Sequence, residues 1–311
     1  MNKTTASSTF QIQTWISAAR LRTLPLAFAV IALGAGVANF HVPGSFDHSV
    51  FLLAVLTSFS YQVLSNYAND LGDGVRGTDN QRQGEQRAVA SGAISIASMK
   101  NAVLLFTLLA LVFGSSLIFL AFSNAAVIAV FMVLHVLAIW SARSYTLGSN
   151  PYAYWGGGDL FVFLFFGYTG VLGSSALFTS SFFAIDLLPA TVAGAMSAAV
   201  LTLNNLRDRD GDLANGKQTL VVRFGHGWGR GYFKVLIALS QIFALIFSFY
   251  VALKTSETFA IWGFLIFLIA LRFILRRFSK ATDAEKLDGL LKPTALVTLL
   301  YCLVTAISIN L

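Results

Sequence analysis

Apolar residues fill long, uninterrupted stretches of this chain, and polar residues gather in the short segments between them. Nine such stretches run approximately over 24–40, 49–66, 101–122, 124–142, 160–177, 182–206, 232–253, 258–274 and 293–311. Each is long enough to cross a bilayer as a helix, which takes roughly 17–25 residues. None alternates in polarity as a barrel strand does. Backbone groups in hydrocarbon must be satisfied within their own segment, so the stretches read as helices. The pattern predicts an all-α polytopic membrane protein of about nine transmembrane helices, a single integral-membrane domain over 1–311. Composition agrees, with 56% hydrophobic and only 11% charged residues, where soluble domains carry about 25% charged. Residues 1–23 contain no apolar core of the kind a cleaved signal peptide needs. The lone cysteine, Cys302, excludes an internal disulfide and reads as a small core residue.

The charges sort by side. With nine spans, the N-terminus and the segments after the second, fourth, sixth and eighth share one face. Twenty of the 21 Lys and Arg fall there, and only Lys254 falls opposite. The positive-inside rule makes that face cytoplasmic and places the C-terminus outside. The net charge of +7 is chiefly this topological signal, and nucleic acid is not an expected partner. The acids sort too, although topology does not require it. Asp47, Asp186 and Glu257 lie outside, and the other eleven of the 14 lie on the cytoplasmic face.

That acidic bias comes from two clusters, each at the exit of a helix. The second helix leads into Asn69, Asp70, Asp73, Arg76 and Asp79. The sixth leads into Asn204, Asn205, Arg207, Asp208, Asp210, Asp212 and Lys217. Asn69 and Asp73 are four apart, as are Asp208 and Asp212, so in a helix each pair shares a face one turn apart. Carboxylates clustered at the edge of a low-dielectric region repel unless a cation sits between them. Oxygen-only ligands favour Mg²⁺ or Ca²⁺, and Mg²⁺ characteristically completes its shell with water and substrate phosphates. Two clusters facing one cavity suit a diphosphate held by more than one metal ion, with Arg76, Arg207 and Lys217 available to its oxygens. The four-helix offset between the clusters fits two four-helix halves and a ninth helix.

At these residues the chain resembles the UbiA-type superfamily of intramembrane prenyltransferases, and more narrowly its 1,4-dihydroxy-2-naphthoate polyprenyltransferase branch of menaquinone synthesis. The first motif of that branch, N-D-x-x-D-x-x-x-G-x-D, is matched by Asn69, Asp70, Asp73, Gly77 and Asp79. The wider superfamily places its last Asp where Gly77 stands here, and the displacement to Asp79 is typical of the naphthoate branch. The second, N-N-x-R-D-x-x-x-D-x-x-x-G-K-x-T-L, is matched from Asn204 to Leu220. Arg20 to Pro25, Tyr145-Thr146 and Gly158-Asp159 add weaker matches. The chain departs from the pattern at Leu21, where a proline is usual, and at Glu85 before Arg87. It also lacks the usual lysine after Tyr145.

The resemblance implies Mg²⁺-dependent transfer of a polyprenyl group from polyprenyl diphosphate to an aromatic acid, with loss of CO₂, in a bacterial cytoplasmic (inner) membrane. It implies Asn69, Asp73, Asp208 and Asp212 as first metal and catalytic groups, with Asp70, Asp79 and Asn205 behind them. Arg76, Arg207 and Lys217 are expected at the phosphates, and Tyr145 and Asp159 at the cavity mouth. Homogentisate and 4-hydroxybenzoate are the alternative acceptors. His135, inside the fourth helix, reads as a satisfied core histidine. A cation-coupled transporter would also use intramembrane acids, but near the bilayer midplane on broken helices, whereas both clusters here are at helix ends.

The charge sorting has a direct check. A cysteine introduced as Arg82→Cys is expected to react with a membrane-impermeant thiol reagent only from the cytoplasmic side, and Glu257→Cys only from the opposite side. Labelling of both from one side contradicts nine spans.

Overall fold

The computed structural model describes residues 12–78 and 87–311. Among the described residues, nine helices are long and apolar enough to span a membrane. They are α1 (Leu24–His41), α2 (His48–Arg76), α3 (Ile96–Ala121) and α4 (Ala125–Ser144). There follow α5 (Gly158–Thr179), α6 (Leu187–Ala214), α7 (His226–Thr255), α8 (Phe259–Lys280) and α9 (Ala284–Ser308). Several starts are set by side-chain caps, which satisfy backbone N–H groups that have no partner in the first turn. Asp47 accepts from the amides of Ser49 and Val50. Ser95, Asn124 and Asp283 cap α3, α4 and α9 in the same way. Gly77, at φ 78°, ends α2 in the left-handed conformation that glycine adopts without strain.

The helices outrun the apolar stretches. The second stretch fades at residue 66, but α2 continues to Arg76, about 15 Å further at 1.5 Å per residue. Hydropathy marks where lipid touches the helix, while the backbone ladder needs only its own hydrogen bonds. The same continuation carries α6 to Ala214 and α8 to Lys280. At the other end of the chain, α9 starts at Ala284 and takes Pro293 into its interior.

Helix α6 is the central post. It packs against α5, α7 and α9, while α9 also packs on α1 and α8, and α2 packs on α3 and α4. From Pro189 to Val200 every residue of α6 is buried, and most are Ala, Gly, Ser or Thr. Small side chains let helix backbones approach closely, which is the main source of helix association in lipid. One close crossing, between α6 and α5, is at Gly194. A Cβ there would stand 2.7 Å from the carbonyl oxygen of Phe163, and one at Gly167 would stand 2.8 Å from that of Ala190. On α5, residues Phe163–Leu172 form wide π-helical turns opposite this crossing. Such turns are uncommon and are found often at functional sites. Cys302 is buried in the core.

The crossing generates a stability prediction. Gly194→Val is expected to lower the thermal unfolding midpoint in detergent, at a cost of about 1–3 kcal/mol from overpacking. Gly231→Ala, where an added Cβ meets nothing within 4 Å, is expected to leave the midpoint unchanged.

Candidate active site

A cavity of about 670 Å³ opens among α1–α6. Its inner part is lined by aliphatic and aromatic groups including Val30, Leu117, Phe165 and Leu177, and its polar end by the two acidic motifs. Asn66, Asn69 and Asp73 present one face of α2 to it, and Asn204, Asp208 and Asp212 one face of α6. Asn205, Tyr145, Lys217, Arg20 and Arg87 complete the polar end.

Lys217 joins the motifs. Its Nζ lies 3.1 Å from Asp73 Oδ2 and 3.8 Å from Asp212 Oδ1. The Lys217 side chain is 10% exposed and that of Asp73 1%. Burial alone works against an ammonium, but Asp73, then Asp212, Tyr145 and Tyr154, raise the Lys217 pKa well above the ordinary lysine value. Lys217 therefore stays charged across the working pH range. The Tyr154 hydroxyl donates to Asp73 Oδ1 at 2.9 Å and lies 2.7 Å from the Thr78 hydroxyl. Burial, and then the Asp73 charge, push the Tyr154 pKa up to about 12, so it remains a neutral donor. The segment that carries Lys217 is tied down nearby. The Gln218 amide donates to the Tyr154 carbonyl at 3.1 Å, and Asn215 Nδ2 donates to the Thr78 carbonyl at 3.3 Å.

Asp208 is held from its other side. Arg207 Nε and Nη2 donate to its two oxygens, each at 2.7 Å, and Nη1 donates to Asp288 on α9. Asn205 Nδ2 reaches Asp159 Oδ2 at 3.4 Å, and the Thr202 hydroxyl reaches Asp159 Oδ1 at 3.5 Å.

The structure thus brings Asn69, Asp73, Asn205, Asp208, Asp212, Lys217 and Tyr145 to one cavity, and four expected site residues elsewhere. Asp70 faces away from the cavity and accepts the amides of Ala88 and Val89 at 3.1 and 2.9 Å. It sits next to Asn69 in sequence, but neighbours on a helix point about 100° apart. Arg76 donates to the carbonyls of Thr146 and Gly148, in the turn that follows α4. Arg207 is spent on the two carboxylates. Asp159 is buried behind Asn205 and does not line the cavity. Asp79 lies outside the described residues. Gly72 explains how the α4 end comes so close, because a Cβ there would stand 2.6 Å from the Thr146 carbonyl oxygen. His135 is buried against Gly114 and bonds through Nδ1 to the Tyr61 hydroxyl.

Tyr154, Arg87 and Asp288 are the residues that sequence reasoning passed over. Arg87 carried a usable signal, as a basic residue just after the first motif. Tyr154 and Asp288 carried none, since one sits among the glycines and aromatics of a loop and the other in a polar helix start. Among the described residues, no three His, Cys, Asp or Glu side chains are gathered into a preformed metal nest.

A lipid-embedded bundle with paired Asn/Asp helix ends over an apolar cavity suits a molecule with a charged head and a hydrophobic chain. The sequence matches the UbiA prenyltransferase family over residues 24–306, and the chain belongs to that family. It is 37% identical over 298 residues to the 1,4-dihydroxy-2-naphthoate octaprenyltransferase of Escherichia coli (strain K12), covering 94% of each chain. The enzyme of the same name from Haemophilus influenzae is 39% identical over 248 residues, covering 79% of this chain and 80% of that one. In fold, the chain is similar to a UbiA homolog from Archaeoglobus fulgidus bound to GPP and Mg²⁺. The TM-score is 0.62 at 16% identity, covering 94% of this chain and 100% of that one.

The placement of Asp70 separates it from its neighbours experimentally. Asp70→Ala leaves two buried amides without an acceptor, so it is expected to destabilise the fold by about 1–3 kcal/mol. Asp210→Asn, on a side chain that is 92% exposed, is expected to stay within about 0.5 kcal/mol of the parent. Thermal unfolding in detergent measures both.

Proposed function

We propose that this protein transfers a polyprenyl group from polyprenyl diphosphate to 1,4-dihydroxy-2-naphthoate, releasing diphosphate and CO₂ and giving a demethylmenaquinol. The observation that carries the reading is the single cavity whose polar end is built from both Asn/Asp motifs. The names of the E. coli and H. influenzae relatives supply the acceptor.

The donor set suits Mg²⁺. Asn69 Oδ1 is buried and accepts no hydrogen bond, which is costly for an amide oxygen unless a cation satisfies it. Asp73, Asp208 and Asp212 add only oxygen ligands. These four residues would hold the ion, with Lys217 and Arg87 beside the diphosphate. Bound there, Mg²⁺ would neutralise charge as the diphosphate leaves.

The chain's own groups do the rest. As the allylic carbon–oxygen bond breaks, its electron pair leaves with diphosphate, and Lys217 and Arg87 stabilise the growing negative charge. The apolar inner cavity takes the prenyl chain and keeps water from the allylic centre. A ring carbon of the acceptor then bonds to that centre, and loss of CO₂ returns an electron pair to the ring. Tyr154 keeps Asp73 oriented throughout. The chain supplies 28 Phe, 9 Tyr and 5 Trp, and aromatic faces of this kind stabilise an allylic cation. A hydrophobic donor explains why the site is built inside a bilayer. By the positive-inside rule the motif face is cytoplasmic, in the bacterial inner membrane.

Membranes containing the protein, supplied with a polyprenyl diphosphate and a panel of 1,4-dihydroxy-2-naphthoate, homogentisate and 4-hydroxybenzoate, test the acceptor. Prenylated product and CO₂ are expected from the naphthoate alone. Product from another acid in its place overturns the assignment. EDTA should abolish turnover and Mg²⁺ restore it. Asp73→Asn and Asp208→Asn should each lower turnover at least about 100-fold. The double variant should be little worse than either, because groups acting on one diphosphate are strongly non-additive. Losses that multiply would mean independent roles.

A further inference from the structure

The last helix carries a charged side chain aimed at the second motif. Asp288 lies in the second turn of α9, far from both motifs in sequence. Its Oδ1 accepts Nη1 of Arg207, whose side chain is 1% exposed. The Nε and Nη2 edge of the same guanidinium holds both oxygens of Asp208. Of the three, only Asp208 lines the cavity.

A guanidinium is planar, and its donors point in fixed directions. Arg207 and Asp208 are consecutive on α6, so their side chains leave the helix about 100° apart. Their pairing uses Nε and Nη2, and the far Nη1 is held on another helix by Asp288. With all three nitrogens engaged, Arg207 acts as a rigid post. Arg22 Nη1 stands 3.7 Å from the same Asp288 oxygen. It supplies a second positive charge from the segment leading into α1.

We infer that Asp288 is a positioning residue for the prenyl transfer: through Arg207 it fixes the orientation in which the Asp208 carboxylate faces the cavity. This rests on the reading above that Asp208 helps to hold a divalent cation. Partners of this kind behind a metal ligand commonly contribute 10–100-fold in metal affinity.

The test uses the purified full-length chain in detergent with a non-reactive prenyl thiolodiphosphate. Mn²⁺ binding is read by electron paramagnetic resonance, and prenyl transfer is followed against Mg²⁺ concentration with the natural diphosphate. Asp288→Asn is expected to weaken Mn²⁺ binding by about 10-fold or more. It should raise the Mg²⁺ concentration for half-maximal rate by a similar factor, and saturating Mg²⁺ should recover most of the rate. Asp288→Glu, which keeps the charge, should return most of the affinity. Asp208→Asn should lose Mn²⁺ binding and turnover together.

Unchanged Mn²⁺ affinity in Asp288→Asn, with Asp208→Asn impaired, overturns the role of Asp288 and leaves the cation reading standing. So does a loss of rate and thermal stability at unchanged affinity, which marks a purely structural brace. Normal Mn²⁺ binding in Asp208→Asn overturns the cation reading itself, and the role of Asp288 with it. Should Asp288→Asn fail to accumulate, Arg207→Lys, which keeps the charge but cannot hold both carboxylates in fixed directions, breaks the same relay. An affinity loss of about 10-fold or more then supports it, and unchanged affinity overturns it.

Discussion

A buried ammonium between two carboxylates organises the polar end of this molecule. Lys217 stands within 4 Å of Asp73 from one half of the bundle and Asp212 from the other. Without it, like charges would face one another at the edge of a low-dielectric interior, and one of them would have to take up a proton or move away. With it, both motifs can stay ionised and close before any ligand arrives. Tyr154 adds a neutral donor that leaves the charge balance unaltered. Under the proposed function, Lys217 would pass its contacts to phosphate oxygens as metal ions reach the carboxylates.

The same arrangement revises one consequence of the acidic clustering. From spacing alone, an Asp73→Asn change would relieve repulsion and stabilise the metal-free chain. In the structure Asp73 is paired, so neutralising it strips a partner from a buried lysine. Loss of one member of a buried pair is destabilising. Thermal stability therefore has to accompany any activity measured for that variant.

The fold was largely legible because lipid imposes a simple rule on sequence. Long apolar stretches announced nine helices, and the i, i+4 spacings of Asn69 with Asp73 and of Asp208 with Asp212 announced two helical faces. Less legible was which way each neighbour points. Asp70 and Asp73 look alike in a motif, but one anchors the returning backbone at Ala88 and Val89 while the other faces the cavity. Arg76 and Arg207 looked like phosphate ligands, yet carbonyls of the turn after α4 hold the first and two carboxylates hold the second. Such assignments depend on contacts between segments dozens of residues apart, and local spacing does not encode those.

The composition of α6 has a consequence for how the protein is made. A helix gains from lipid in proportion to the apolar surface it can offer, and Ala, Gly, Ser and Thr offer little. Leucine- and phenylalanine-rich α3 can rest in a bilayer alone. By contrast, α6, buried along almost its whole apolar length, draws its stability from the helices around it. Its place is fixed by assembly more than by insertion: α5 precedes it in the chain, and α7 must follow it out of the translocation machinery before it is fully covered. A lesion at Gly194 would then be felt first as a failure of biogenesis.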